Sequence, residues 1–325
     1  MTTGFEAIIG HRQQIHLLEN AIQHQRVAHA YLFAGPVGIG KRQVAQAFAG
    51  VMLCENNNGC GHCNACSKMA TESHPDVHKL QADGHSIKIE QVRTLQAQLA
   101  LRAFSGRGKI CLIDDAHLLT REAANALLKT LEEPVPGTFI ILISSAPEVL
   151  LPTIRSRCQQ ISFLRLPQRD LAQHLSRQLS LSPAEAAVLA AVSDGSFHKA
   201  LGKNQDLYLK KRVELIQALS ALTATSTIQT FEFAQDLKGE KDLLDEILGI
   251  FEIFFRDLLL HKLGQAEAAM INQDQMPLIQ QQAGLLSAPQ ILTRIEAVGR
   301  ARKDLAGNIN AHLAMDHMLM QITHA

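Results

Sequence analysis

The chain has no Trp, only two Tyr and 4% aromatic residues in 325. It therefore lacks the run of stacking platforms on which proteins hold single-stranded bases. It also lacks an excess of either charge. Lys plus Arg and Asp plus Glu number 31 each, which removes the broad basic field of a free-standing DNA binder and leaves any DNA contact local or shared with partners. No apolar run is long enough to span a membrane. Met1-Thr2-Thr3-Gly4-Phe5-Glu6 has neither the basic start nor the apolar stretch of a secretion signal, so the cytosol is the expected compartment. Low-complexity tracts and internal repeats are also missing. With 46% apolar and 19% charged residues, the length suffices for two or three domains, each with its own core.

Cysteine is concentrated rather than scarce. Cys54, Cys60, Cys63 and Cys66 fall within thirteen residues, with two successive C-x-x-C steps. Thiolates at that spacing converge on one tetrahedral ion, Gly59 and Gly61 permit tight turns, and Cys54 ends the preceding helix. A disulfide framework does not suit a reducing cytosol, so structural Zn²⁺ is expected, with an iron–sulfur cluster as the alternative. A centre closed by four sulfurs leaves no position for chemistry and serves to hold a small insertion together or to shape a contact surface. His62, His74 and His78 are expected at the surface, and Cys111 and Cys158 in the core.

Before the cysteines, His29 to Ala34 reads as a buried strand. Gly35-Pro36-Val37-Gly38-Ile39-Gly40-Lys41 then reads as a phosphate loop, and Val44, Phe48 and Met52 recur at helical spacing. Loop N–H groups and the helix N-terminus would close around phosphate oxygens, with Lys41 reaching the outer ones. A working site carries Ser or Thr next, to ligate Mg²⁺. Here Arg42 stands in that place, reaching phosphate or solvent, and hydrolysis should be crippled or absent. A glycine-rich turn with no nucleotide and an occupied site without turnover both satisfy the pattern.

Downstream, Lys109 to Ile113 is an apolar strand ending in Asp114 and Asp115. Asp114 is placed to bind Mg²⁺ through water. Asp115 is placed to polarise the attacking water, where a Glu would reach one methylene further; a strand-end pair capping the next helix is the alternative. Thr120 then caps a helix with Ala123, Ala124, Leu127, Leu128 and Leu131 on one face, ended by Glu132-Glu133-Pro134. Phe139 to Ile143 is a fully buried strand with Ser144 and Ser145 at its end, and Gln159 to Phe163 another. Such alternation implies a parallel sheet covered on both faces, with ligands at the strand carboxyl ends. Beyond Pro167 the pattern is helical, with a capping box at Ser182-Pro183-Ala184-Glu185. Leu243, Leu244, Ile247, Leu248, Phe251, Phe254, Phe255, Leu258 and Leu259 form the apolar stripe of a bundle helix.

Taken jointly, HAYLFAGPVGIGK at 29 to 41, the cysteine cluster, LIDDAHLLT at 112 to 120, NALLKTLEEP at 125 to 134 and SRC at 156 to 158 resemble the clamp-loader subunits of bacterial DNA polymerase III, an AAA+ family. The motifs cover the first half of the chain strongly, and a similar length with an all-helical remainder extends the likeness to the end. The resemblance implies an α/β AAA+ P-loop domain over 1–166, with a parallel sheet, helices on both faces and a zinc module at 54–66. A helical lid over 167–205 and an all-α collar over 206–325 would follow, the last helix from Asn310 to Ile322 packing on other subunits. The gamma/tau motor subunit would have Thr at position 42, Asp-Glu at 114 and 115, and a sensor arginine where Gly195-Ser196-Phe197-His198 stands.

With these lost and Ser156-Arg157-Cys158 kept, the resemblance implies an accessory member whose Arg157, or less favourably Arg155, is an arginine finger for a neighbour's ATP and Mg²⁺. Gly35, Gly40, Lys41, Asp114 and Asp115 are then the places of a degenerate nucleotide site. Implied partners are gamma/tau, delta, the beta sliding clamp and primed DNA, in a hetero-pentamer. No polymerase catalytic-acid domain is found, so the DNA-directed DNA polymerase (nucleotidyltransferase) reaction belongs to the holoenzyme. Competing readings are an active motor of the same complex, predicting Mg²⁺-dependent turnover by the isolated chain, and a zinc-containing DNA-binding module, predicting salt-sensitive DNA binding.

Overall fold

The computed structural model describes residues 4–193, 195–196, 200–201, 207–223, 227–239, 243–307 and 309–324. Two compact units emerge, one of residues 1–167 with 195–198 and one of 168–194 with 199–325.

The first unit is a five-stranded parallel sheet in the order β2-β3-β4-β1-β5, formed by Val77–Leu80 (β2), Lys109–Ile113 (β3), Thr138–Ser144 (β4), Ala30–Ala34 (β1) and Gln159–Ser162 (β5). Strand alternation feeds two cores. Ala30, Leu32, Cys111, Ile113, Ile140 and Leu142 meet Val92, Leu95 and Leu99 of α4 (Ile89–Ala100) and Ala123, Leu127 and Leu131 of α5 (Arg121–Glu132). Tyr31, Phe33, Ile110, Leu112, Ile141 and Ile143 meet Leu18 of α1 (Arg12–Gln23) and Val44, Phe48 and Val51 of α2 (Lys41–Leu53) on the other face. The helices on both faces are thus as expected, and Thr120 caps α5 by accepting from the Ala123 N–H. A short α3 (Asn64–Ala70) carries Cys66, with Cys63 as its N-cap, and one turn, α6 (Pro152–Arg155), precedes β5.

The second unit is all helical among the described residues: α7 (Gln168–Leu179), α8 (Pro183–Val192), α9 (Arg212–Ala221), α10 (Thr227–Gly239), α11 (Leu244–Lys262), α12 (Met276–Leu285), α13 (Ala288–Ala306) and α14 (Ala311–His324). Ser182 and Glu185 form the expected capping box. The stripe on α11 is core: Ile247, Leu248, Phe251, Phe254, Phe255 and Leu258 are all buried. The expected boundary between lid and collar at 205/206 lies outside the described residues.

Amid this apolar packing, Asp257 is fully buried and accepts from the N–H groups of Ile271 and Asn272 and from the Asn272 side-chain amide. Burial pushes its carboxyl up despite those bonds. Arg212, also buried, donates to Asn272 Oδ1 and pairs with Asp274 at 2.6 Å. Arg212→Ala therefore leaves buried acceptors unpaired and should cost about 3 kcal/mol, the low end for a broken buried pair because Asp274 is partly exposed. Urea unfolding checks this, and a loss below about 1 kcal/mol contradicts it. No helix among the described residues is long and apolar enough to cross a membrane.

Candidate phosphate-loop site and cysteine centre

The phosphate loop joins β1 to α2 at the carboxyl edge of the sheet. Gly40 sits at φ 103° as the residue before α2, a conformation that strains any side chain. Gly35 lies so close to β5 that an added Cβ would stand 2.2 Å from the Phe163 carbonyl oxygen. His11, buried at the start of α1, bonds the Ile39 carbonyl through Nε2 at 2.7 Å. Burial lowers its pKa, and the nearby Lys41 charge adds to that. The Ser196 hydroxyl donates to the Gly38 carbonyl at 3.2 Å, so the Gly195-Ser196 segment packs on the loop, while Phe197 and His198 lie outside the described residues.

Lys41 is 6% exposed and turned back onto its own loop, donating to the carbonyls of Gly35 at 2.7 Å and Pro36 at 2.6 Å. Burial lowers its pKa, and Asp115 and Asp114 partly oppose the shift. Asp114 and Asp115 follow β3 directly, and Asp115 takes the left-handed conformation at φ 47°. His117 bridges towards both serines at the end of β4, at 3.5 Å from Ser144 Oγ and 3.4 Å from Ser145 Oγ.

Arg42 is exposed, its side chain 47% accessible, as expected, but it is not free in solvent. Its guanidinium pairs with Asp114 Oδ2 at 3.2 Å. With the Gln81 amide oriented to satisfy both groups, the Gln81 oxygen accepts from the same guanidinium at 2.6 and 3.1 Å. The reason is local: Arg42 begins α2 beside the end of β3, and a bare carboxylate there is the nearest strong acceptor. Mg²⁺ at this position needs a hydroxyl after the lysine and a free carboxylate. The chain offers a cation in place of the hydroxyl and a carboxylate already paired, so these residues do not fit the metal.

Arg157 follows α6. It pairs with Glu132 at 2.7 Å and donates to the Thr153 carbonyl at 3.0 Å, with its side chain 37% exposed.

The four cysteines converge as expected, with all sulfurs within 4.8 Å of one another. Cys54 closes α2, and Cys63 caps α3 by accepting from the Cys66 N–H. A Zn²⁺ ion with Zn–S bonds of about 2.3 Å sets sulfurs roughly 3.8 Å apart. The Cys60–Cys66 and Cys54–Cys63 pairs stand at 4.0 Å, so the donor set fits. Burial alone would raise the Cys54 and Cys63 thiols, but backbone hydrogen bonds outweigh it. Cys54, bonded by Cys60, Asn58 and Asn56, falls to about 6, and Cys63 is lowered too.

No histidine joins this group among the described residues. His62 is exposed as expected, but His74 is buried, its Nδ1 accepting from the Asp76 N–H at 3.2 Å, and His78 is partly buried. The correction follows from β2, a strand the sequence pattern did not reveal, which carries this segment into the sheet. Cys111 is core as expected, and burial pushes the Cys158 thiol up to about 12.

Comparison with known proteins bears on the same residues. The family described as "DNA polymerase III, delta subunit" matches residues 10–167, and its C-terminal counterpart matches 207–324. DNA polymerase III subunit delta' of Bacillus subtilis is 32% identical over 312 residues, covering 94% of each chain. The chain belongs to the DNA polymerase III delta' family. The likeness extends to a second subunit: DNA polymerase III subunit tau of Bacillus subtilis is 28% identical over 79% of this chain but only 50% of its own length. A solved gamma subunit-related protein of Thermotoga maritima aligns at 20% identity and TM-score 0.44, covering 94% of this chain and 98% of that one. The parallel sheet, with the glycine loop between β1 and α2 at its carboxyl edge, is the α/β arrangement expected from the sequence.

Proposed function

We propose that this chain is the accessory delta' subunit of a clamp loader, hydrolysis-deficient itself and donating Arg157 to the ATP site of a neighbouring tau/gamma subunit. In this reading it works in the cytoplasm with tau/gamma, delta and the beta sliding clamp, in a hetero-pentamer that opens the clamp and places it on primed DNA. Residues 167–205 act as lid and 206–325 as the collar that assembles the ring, and Zn²⁺ on Cys54, Cys60, Cys63 and Cys66 holds the insertion at 54–66. Gly35, Gly40, Lys41, Asp114 and Asp115 are what remains of a nucleotide site.

The observation that carries this is the Arg42–Asp114 pair at 3.2 Å. Hydrolysis needs a cation bridging the outer phosphates, with ligands that stay with it through the reaction. A guanidinium fixed by a salt bridge contributes charge but has no exchangeable ligand position. Lys41, drawn onto loop carbonyls, must also break two bonds before it can reach a phosphate.

The reading is tested by ATP turnover of the reconstituted loader with clamp and primed DNA. Lys41→Ala in this chain should leave turnover within about twofold of wild type, since this site contributes no catalysis. The isolated chain should show no Mg²⁺-dependent turnover. Loss of turnover with Lys41→Ala would make this chain a motor and refute the proposal.

A further inference from the structure

A cavity of about 290 Å³ lies between α2, α3, β2 and the chain at Ala7 and Ile8. That volume is near the lower limit for ligand sites. Ile8, Ala47, Met69 and Val77 give it apolar walls, while Gln46, Glu72, His74 and Lys79 supply polar groups. None of these belongs to the phosphate loop or to the cysteine centre. No Phe or Tyr lines the cavity, so a nucleobase would find no ring to stack on.

His74 is the most telling of the polar groups. It is 6% exposed, and its Nδ1 accepts from the Asp76 N–H at 3.2 Å. Burial lowers its pKa more than the Asp76 carboxylate raises it, so the ring is neutral and its single proton sits on Nε2. Among the described residues nothing accepts that proton. A buried donor without an acceptor is destabilising unless a ligand or water supplies one. The turn that carries His74 is itself held in place: Asp76, 2% exposed, accepts from the N–H groups of Phe104 and Ser105, each at 2.7 Å.

At the rim, Lys79 Nζ pairs with Glu72 Oε2 at 2.6 Å, and the Gln46 amide donates to Glu72 Oε1 at 3.3 Å. Both carboxylate oxygens are thus taken, whereas the ammonium keeps two further N–H donors. The Lys79 side chain is 26% exposed and that of Glu72 61%, so Glu72 can swing into water and leave the ammonium behind. The cavity is rich in donors and poor in free acceptors.

We propose that this cavity binds a small aliphatic acid with a carboxylate at one end and a carbonyl oxygen at the other. The carboxylate replaces Glu72 on Lys79 at the rim, the carbonyl accepts the Nε2 proton of His74, and the chain between them lies against Ile8, Ala47, Met69 and Val77. A phosphomonoester fits less well, because its second negative charge would face Glu72 with one ammonium to balance both.

The full chain is titrated with levulinate, with valerate, which lacks the carbonyl, and with methyl levulinate, which lacks the charge. The methyl resonances of Ile8, Met69 and Val77 report binding. Levulinate should bind in the low millimolar range or tighter, and each of the other two about fivefold more weakly. His74→Phe should erase the advantage over valerate and leave valerate itself unchanged. Lys79→Gln should erase the advantage over the ester. Glu72→Gln removes the competing carboxylate and should tighten both acids about twofold or more without affecting the ester. Lys79→Gln and Glu72→Gln alter partly exposed side chains, so they decide the matter even if His74→Phe does not fold. No binding by wild type, equal affinity for all three probes, or shifts confined to other methyl groups overturns the proposal. The titration needs no other subunit, so its outcome is independent of the clamp-loader reading.

Discussion

Arg157→Ala in this chain should abolish turnover at the one ATP site it completes, by about 10³ to 10⁵ if the residue is a trans-acting finger. The geometry gives the mutation a clean background. Arg157 is 37% exposed, and its partner Glu132 is 48% exposed. A surface pair of that kind contributes about 1 kcal/mol or less to stability, so the isolated variant should melt within a few degrees of wild type. Its second bond, to the Thr153 carbonyl, keeps the side chain near the turn after α6 without burying it. Swinging away from Glu132 therefore costs little, and a neighbour's phosphate is a stronger partner for a planar guanidinium than one exposed carboxylate.

Two further substitutions separate catalysis from structure. Arg157→Lys keeps the charge but loses the forked geometry and should recover only a small part of turnover. Glu132→Gln removes the resting partner and should leave turnover intact or raise it. Single-turnover hydrolysis by the assembled loader reads out all three. If Arg157→Ala leaves hydrolysis unchanged while lowering the melting temperature by ten degrees or so, Arg157 is a structural ion pair and the finger assignment fails.

How much of this was legible beforehand depends on the range of the interaction. Runs such as Phe139 to Ile143 announce buried parallel strands because every position is apolar, and Thr120 announces its helix because capping is decided within four residues. The edge strand Val77–Leu80 escaped notice: His78 and Lys79 break the apolar run, and only pairing with β3 makes it a strand. His74 was expected at the surface because four cysteines already complete a ligand set, and that argument says nothing of the strand that carries the segment inward. Helices α1 and α4 were likewise not foreseen, although Ile89, Val92, Leu95 and Leu99 do recur on one face.

The cysteine centre was legible because its ligands lie within thirteen residues. The fate of Arg42 was not, because its partner is Asp114, seventy-two positions away. Sequence shows that a metal ligand is gone, whereas the structure shows a guanidinium on the carboxylate the metal would use. His11, Asp76 and Arg107 gave no signal either. Each is a lone polar residue whose role exists only once distant loops meet.

Stripping the metal from the cysteine centre should have the largest effect on the folded chain. Structural Zn²⁺ in small thiolate sites contributes on the order of 10–16 kcal/mol of apparent binding free energy near neutral pH. The segment it closes buries little else than the cysteines themselves and Ala65. Chelation, or Cys63→Ser, should therefore unfold residues 54–66, with loss of amide protection there while β1, β3 and β4 stay protected. The damage should spread to the 101–108 loop, because Arg107 is anchored on the Cys54 and Glu55 carbonyls at the edge of the module.

The pH dependence has a definite sign. Cys54 is held at about 6 in the metal-free fold, below an ordinary thiol, so its contribution is present in full above the ordinary thiol range and is lost as pH falls through about 6. At pH 7 Cys54 is already largely a thiolate, so zinc uptake should release fewer than four protons, and affinity should fall with pH in step with the number released, more steeply still once Cys54 protonates below about pH 6. Zinc content by atomic absorption, together with proton release in weakly buffered titrations, decides the matter. Four protons released at pH 7 would show that the backbone N–H groups do not organise the sulfurs before the metal arrives, and a chain purified without zinc that keeps full protection at 54–66 would show that no metal is needed there.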